Sequence, residues 1–174
     1  MSQKHPIVAV TGSSGAGTST VKHAFEHIFI RENITPAIIE GDSFHRFDRA
    51  AMKVEMAKAE EEGNKTFSHF GANTNEFGKL EELFKNYGAT GTGKKRLYLH
   101  SDEEAEAYPG LTPGQFTPWE DVPANTDVMF YEGLHGGVVT DEHNVAEHVD
   151  LLVGVVPSVN LEWIQKIHRD NAER

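Results

Sequence analysis

The stretch Ile7-Val8-Ala9-Val10-Thr11-Gly12-Ser13-Ser14-Gly15-Ala16-Gly17-Thr18-Ser19-Thr20-Val21 decides the fold. The apolar run Ile7 to Val10 reads as a short buried strand. The Gly/Ser/Thr segment after it gives way to Val21, Ala24, Phe25, Ile28 and Phe29 at helical spacing. Strand, glycine-rich turn and helix open an α/β unit. The spacing from Gly12 to Ser19 is that of a phosphate-binding P-loop, with Thr18 standing where the motif's lysine usually does. In such a loop the backbone N–H groups converge on phosphate oxygens, and the following helix adds its positive end. Gly12, Ser13, Ser14, Gly15, Ala16, Gly17, Thr18, Ser19 and Thr20 are therefore the expected nucleotide-binding residues, with the Ser19 hydroxyl on Mg²⁺. The competing reading is an ordinary Gly/Ser turn. If the loop does hold phosphate, the charge missing at Thr18 must come from Lys22 or from another segment.

Working outward, Ala37-Ile38-Ile39 is a second short strand, stopped by Glu40-Gly41-Asp42. Residues 48–62 read as a helix with Asp48 as its N-cap. A polar loop over 63–75 holds Phe67-Ser68-His69-Phe70, and Phe77, Leu80, Leu83, Phe84 and Tyr87 mark an amphipathic helix. Gly88 to Lys95 imitates the P-loop spacing and has a lysine, but a helix precedes it and a strand follows. That inverted context makes it a basic turn. Leu97-Tyr98-Leu99 is a candidate strand, and residues 101–126 carry too many prolines for regular structure. The runs 128–131 and 151–156 suit central parallel strands, and 160–174 read as a helix. The expected fold is α/β: a mostly parallel sheet flanked by helices, in one P-loop NTPase-like domain over 1–174.

The 174 residues suit one compact domain, and 16 Lys+Arg against 27 Asp+Glu give a net charge of −11. A general nucleic-acid binder would carry a basic excess, so that class is excluded. An anionic ligand must meet a local cluster of donors. With no cysteine there is no disulfide framework, thiolate nucleophile or thiol switch. No apolar run has the length of a membrane span, and the polar start leads straight into a strand, so a cytoplasmic protein is expected.

In an open α/β sheet, ligands bind beyond the carboxyl ends of the strands. Asp42 and Glu132 both follow strands and should face the crevice of the P-loop. Phosphoryl transfer needs one carboxylate near the metal and another to take a proton. His45, Arg49 and Lys53 lie close enough to Asp42 in sequence to grip a phosphate there, with Arg49 and Lys53 four apart on one helix face. Lys166, Arg169, Asp170 and Arg174 share a face of the last helix and start near the same crevice. That face is either a source of the cation missing at Thr18 or a plain solvated surface. His23 and His27 are a further, weaker candidate pair for zinc, and His69 and His135 are placed to line the crevice.

These residues resemble bacterial phosphoribulokinase of the prokaryotic type. The resemblance rests on Val10 to His23, Glu40 to Arg49, Phe67-Ser68-His69-Phe70, Phe130-Tyr131-Glu132-Gly133-Leu134-His135-Gly136, and Asn160 to Asp170. These strings keep the family's order over nearly the whole chain, and the family itself carries Thr at the P-loop lysine. The resemblance implies transfer of the γ-phosphoryl of MgATP to the C1 hydroxyl of D-ribulose 5-phosphate. It implies Asp42 as general base, Lys166 as transition-state cation and Asp170 as a second essential carboxylate. Ser19 and Glu132 fall on the Mg²⁺–nucleotide side. His45, Arg49 and Lys53 match sugar-phosphate positions, and Arg169 and Arg174 match positions for substrate binding or regulation. It further implies a homo-oligomer responding to NADH and AMP. The family's spelling differs at Gly71-Ala72-Asn73-Thr74-Asn75, and the family runs on past this helix, so the expectation is the N-terminal portion of a longer protein. Two rivals stand beside it: another small-molecule P-loop kinase of the uridine- or pantothenate-kinase kind, and a non-catalytic nucleotide-binding piece.

Overall fold

A computed structural model describes residues 4–173; the side chains of residues 169, 170, 172 and 173 lie outside that description, as does Arg174 altogether. The elements are β1 (Ile7–Gly12), α1 (Thr18–Glu32), β2 (Pro36–Glu40), α2 (Arg49–Glu61), α3 (Phe77–Thr90), β3 (Lys94–Lys95), α4 (Asp102–Glu106), β4 (Glu120–Asp121), β5 (Val128–Gly133), β6 (Leu151–Val155) and α5 (Val159–Glu173). Strands β2-β5-β1-β6 form a sheet in that order. Every pairing in it is parallel, with Ile7 opposite Met129, Val8 opposite Leu151 and Pro36 opposite Val128.

The alternation of side chains along a strand explains why apolar runs suffice here. On one face Ile7, Ala9, Met129, Tyr131, Ala37 and Ile39 meet Leu80, Leu83, Phe84 and Tyr87 of α3. On the other, Val8, Val10, Val128 and Phe130 meet Val21, Phe25 and Phe29 of α1. Both faces of the central strands are thus covered, as a parallel sheet requires. The ring of Phe84 lies edge-on to Tyr131 at 5.5 Å and is fully buried; cutting such a ring back to Ala costs about 3–5 kcal/mol.

The expected helices form, and Asp48 caps α2 by accepting the Ala51 N–H at 2.8 Å. Gly88 to Lys95 closes α3 and leads into β3, so it is a turn between helix and strand. Three expectations need correction. β6 is an edge strand rather than a central one, pairing only with β1 in the described sheet. Residues 97–99 are not a strand but part of an irregular antiparallel ribbon, with a bridge from Tyr98 to Phe116 and the Leu99 N–H bonded to the Gln115 carbonyl. The proline-rich stretch is not devoid of regular structure: it contains α4 and returns as β4, which pairs antiparallel with β3. Pro109, Pro113 and Pro118 fall between those pieces, where no ladder N–H is needed.

Candidate active site

The phosphate loop runs from the end of β1 to the start of α1 and sits at the carboxyl edge of the sheet. Gly15 and Gly17 have φ of +92° and +95°, which a side chain would strain. No side chain caps α1, so its first amide N–H groups retain the capacity to bind an anion. An uncapped helix start behind a loop of turned glycines fits the phosphates of a nucleotide. Ser19 is exposed in the first turn of α1, and Glu132 lies opposite Val10 on neighbouring β5. Among the described residues no three His, Asp or Glu side chains form a metal cage. A magnesium ion held mostly by phosphate oxygens and water needs only one or two protein ligands.

Lys22 is paired with the end of β2. Its Nζ bonds Glu40 Oε1 at 2.7 Å. Burial disfavours its charge, but the Glu40 bond and the nearby Glu132 and Glu26 carboxylates win and raise its pKa. Lys166 lies at the loop instead. A Cβ on Gly15 would come within 3.1 Å of the Lys166 Cβ and 3.4 Å of the Glu162 carbonyl oxygen. A cavity of about 370 Å³ between the loop and α5 is lined by Ser13, Ser14, Phe70, Leu134, Glu162, Trp163 and Lys166. A second cavity, about 250 Å³ among Lys85, Glu147 and Asp150, lies away from the strand-end carboxylates.

Asp42 lies on a 3₁₀ turn, Gly41–Phe44, immediately after β2. The turn fits tightly at its first residue: a Cβ on Gly41 would stand 2.4 Å from Tyr131 Oη. Histidines ring the half-exposed Asp42 carboxylate. His45 Nε2 is 3.5 Å from Oδ1 and His100 Nε2 is 3.8 Å from Oδ2. The His45 bond holds Asp42 below the usual carboxylate range against the effect of burial, helped by the charges of His45, His100 and His135. Burial opposes a charge on His45, but Asp42 raises its pKa above that of an ordinary imidazole, and the bond from Nδ1 to Asn75 Oδ1 at 2.8 Å adds to this. His69 stands 6.3 Å from the His45 ring, and His135 Nε2 meets the Phe70 carbonyl at 3.2 Å. Burial pushes both below the ordinary value. The Phe67–Phe70 string and the post-β5 string therefore meet over Asp42.

Arg49 opens α2 and packs against Gly114, whose carbonyl accepts the Arg49 N–H at 2.9 Å. Lys53 is exposed one turn along the same helix. Asp170 and Arg169 are on α5 with side chains outside the described set, and Arg174 is wholly outside it. His23 bonds Glu26 at 2.9 Å on the exposed face of α1, so the zinc idea gains nothing. Sequence reasoning missed His100, Asn75 and Arg96. His100 and Arg96 follow the basic turn set aside as a decoy. No local spacing pointed to them.

A parallel sheet with a phosphate loop at its carboxyl edge and strand-end carboxylates across the crevice defines a P-loop kinase fold. Residues 7–174 match the Phosphoribulokinase / Uridine kinase family, and the chain belongs to it. It is 62% identical over 174 residues to a plasmid phosphoribulokinase of Cupriavidus necator, with 100% of this chain and 59% of that protein aligned. It is 57% identical over the same length to a phosphoribulokinase of Nitrobacter vulgaris, of which it covers 60%. A solved phosphoribulokinase from Rhodobacter spheroides superposes with a TM-score of 0.86 at 53% identity, covering 98% of this chain and 58% of that one. The chain thus spans about three-fifths of the length of these relatives.

Proposed function

We propose that the chain carries the reacting groups of a phosphoribulokinase, which moves the γ-phosphoryl of ATP to the C1 hydroxyl of D-ribulose 5-phosphate and yields ribulose 1,5-bisphosphate. The observation that carries this is the Asp42 carboxylate, held between His45 at 3.5 Å and His100 at 3.8 Å, in a chain whose phosphate loop has Thr18 where the motif's lysine usually stands. Asp42 takes the hydroxyl proton. In a loose transition state the nucleophile is little bonded until late, so a weak base that stays ionised serves. His45, Arg49 and Lys53 hold the sugar phosphate. The segment Gly12–Thr20 holds the nucleotide phosphates, and Lys166 brings to the transferring group the charge that Thr18 lacks. Ser19 and Glu132 would hold a magnesium ion, which would supply positive charge to the nucleotide phosphates. Asp170 is a second carboxylate of the site, and Arg169 and Arg174 assist substrate binding or regulation. NADH and AMP as effectors, a homo-oligomeric assembly and a cytoplasmic place belong to the same reading, which has no nucleic-acid or membrane partner. Among the described residues no helix is long and apolar enough to cross a membrane.

The test is ATP-dependent formation of ribulose 1,5-bisphosphate by the chain and by Asp42→Asn. Phosphorylation of uridine instead of ribulose 5-phosphate would overturn the proposal. A second reading is a non-catalytic nucleotide-binding piece. ATP binding without turnover would select that reading.

A further inference from the structure

Arg96 has no part in the site as described so far, yet it holds the turn on which Asp42 and His45 sit. Its Nε donates to the Ser43 carbonyl at 2.7 Å and its Nη2 to the His45 carbonyl at 2.6 Å. Carbonyls at the end of a helical turn have no partner within the turn, and here one guanidinium fork meets two of them. The guanidinium lies 3.7 Å from the ring centroid of Phe116 and 4.6 Å from that of Trp119. Trp119 in turn meets Phe44, on the same turn, edge-on at 5.6 Å. Arg96 also begins the segment that continues through Tyr98 to His100. Tyr98 packs on Phe116 at 5.3 Å and on His100 at 4.9 Å. One planar, always-charged group therefore joins the turn after β2 to the ribbon that brings His100 to Asp42.

We propose that Arg96 is a positioning residue for the phosphoryl acceptor: its bidentate grip on the Ser43 and His45 carbonyls fixes Asp42, His45 and His100 in one arrangement. This rests on the reading of Asp42 as the base. Lysine cannot replace it, because an ammonium has neither the fork nor the flat face. The guanidinium also acts on His45 by charge. The groups that face His45 are Asp42 and Asn75, which favour its protonated form, and Arg96, which disfavours it. His69 stands edge-on to the ring at 6.3 Å, and the His135 pKa feels the His45 charge.

The experiment compares the unaltered chain with Arg96→Gln and Arg96→Lys. It measures kcat, the KM for each substrate, thermal unfolding, and the midpoint of the His45 C2–H resonance against pH. Loss of a charge-assisted bond pair predicts a kcat roughly 10- to 100-fold lower in Arg96→Gln, a raised KM for ribulose 5-phosphate and an unchanged KM for ATP. The His45 midpoint rises in Arg96→Gln and stays put in Arg96→Lys, which keeps the charge but still loses kcat. Should Arg96→Gln not fold, the kcat of Arg96→Lys decides. The proposal is overturned by a variant with unaltered kcat and acceptor KM. It is equally overturned if both KM values rise together with lost thermal stability, because that marks a general structural role. If the unaltered chain does not phosphorylate ribulose 5-phosphate, the functional reading fails, and the His45 midpoint alone still tests the grip of Arg96.

Discussion

The turn after β2 and the β6–α5 unit flank the phosphate loop on opposite sides, and they are held in different ways. The turn is fastened from several directions. Arg96 takes two of its carbonyls, the Ser43 hydroxyl donates to the Glu40 carbonyl at 2.6 Å, and the Glu76 N–H reaches the Phe44 carbonyl at 2.8 Å. Across the crevice, β6 pairs on one side only, and α5 presents Trp163, Ile164 and Ile167 with more than half of each surface exposed. The Asp42 turn draws its geometry from cross-links among residues far apart in sequence. The position of Lys166 depends instead on a helix that follows an edge strand and touches the loop at Gly15.

The contrast can be broken at the Asp42 turn first. Asp42→Asn removes the proposed base from a half-exposed position, so turnover should fall by roughly 10²- to 10⁴-fold while the fold survives; product formation and a far-UV spectrum together check this. On the other side, Lys166→Met should cost on the order of 10²- to 10³-fold in kcat, the scale of one lost electrostatic stabiliser, again measured as turnover. A smaller effect separates the two sides by stability. Gly41→Ala places a methyl 2.4 Å from the buried Tyr131 hydroxyl and should destabilise by about 1–3 kcal/mol, as overpacking does; denaturant unfolding reads it. Gly154→Ala on β6 meets nothing within 4 Å and should stay within about 0.5 kcal/mol of the unaltered chain.

The pH dependence of the Asp42–His45 contact is the most delicate test. His45 is held above an ordinary imidazole, so its contribution is full below about pH 6.5 and disappears as the pH rises through its folded value. Asp42 is held below an ordinary carboxylate, so the same contact is lost as the pH falls through its depressed value. The difference in melting temperature between the unaltered chain and Asp42→Asn should therefore peak between those limits and shrink toward both ends. A flat difference would mean that the contact contributes nothing to folding.

Much of this was legible from the chain because the relevant forces are local. The run Ile7 to Val10 and the glycines behind it specify strand and loop directly, and Asp48 announces the start of α2. The places of Asp42 just after β2 and of Glu132 near the end of β5 followed from the apolar runs before them. The β3–β4 hairpin was hidden because Lys94-Lys95 and Glu120-Asp121 show no apolar alternation and are joined through salt bridges across a long excursion. The Arg96 grip joins residues 51 and 53 apart in sequence, and no local periodicity encodes such a contact. β6 misled for a different reason. Its continuous apolar run describes a strand covered on both sides, whereas in the described structure Val153 and Val155 pack toward α1 and Leu151 and Leu152 are left about half exposed.

The strand order also acts as a ruler. One strand, β5, lies between β1, which leads into the phosphate loop, and β2, which leads into the turn that carries Asp42. Parallel neighbours stand about 4.8 Å apart, so the two strand ends are separated by roughly 10 Å. Backbone hydrogen bonds set that span, and no side-chain substitution in the crevice can lengthen it. The separation of the loop strand from the strand before Asp42 is thus set by the sheet. On the proposed reading, a change of acceptor would be sought in the side chains around Asp42, such as His45 and His100, because the spacing of the strands belongs to the sheet.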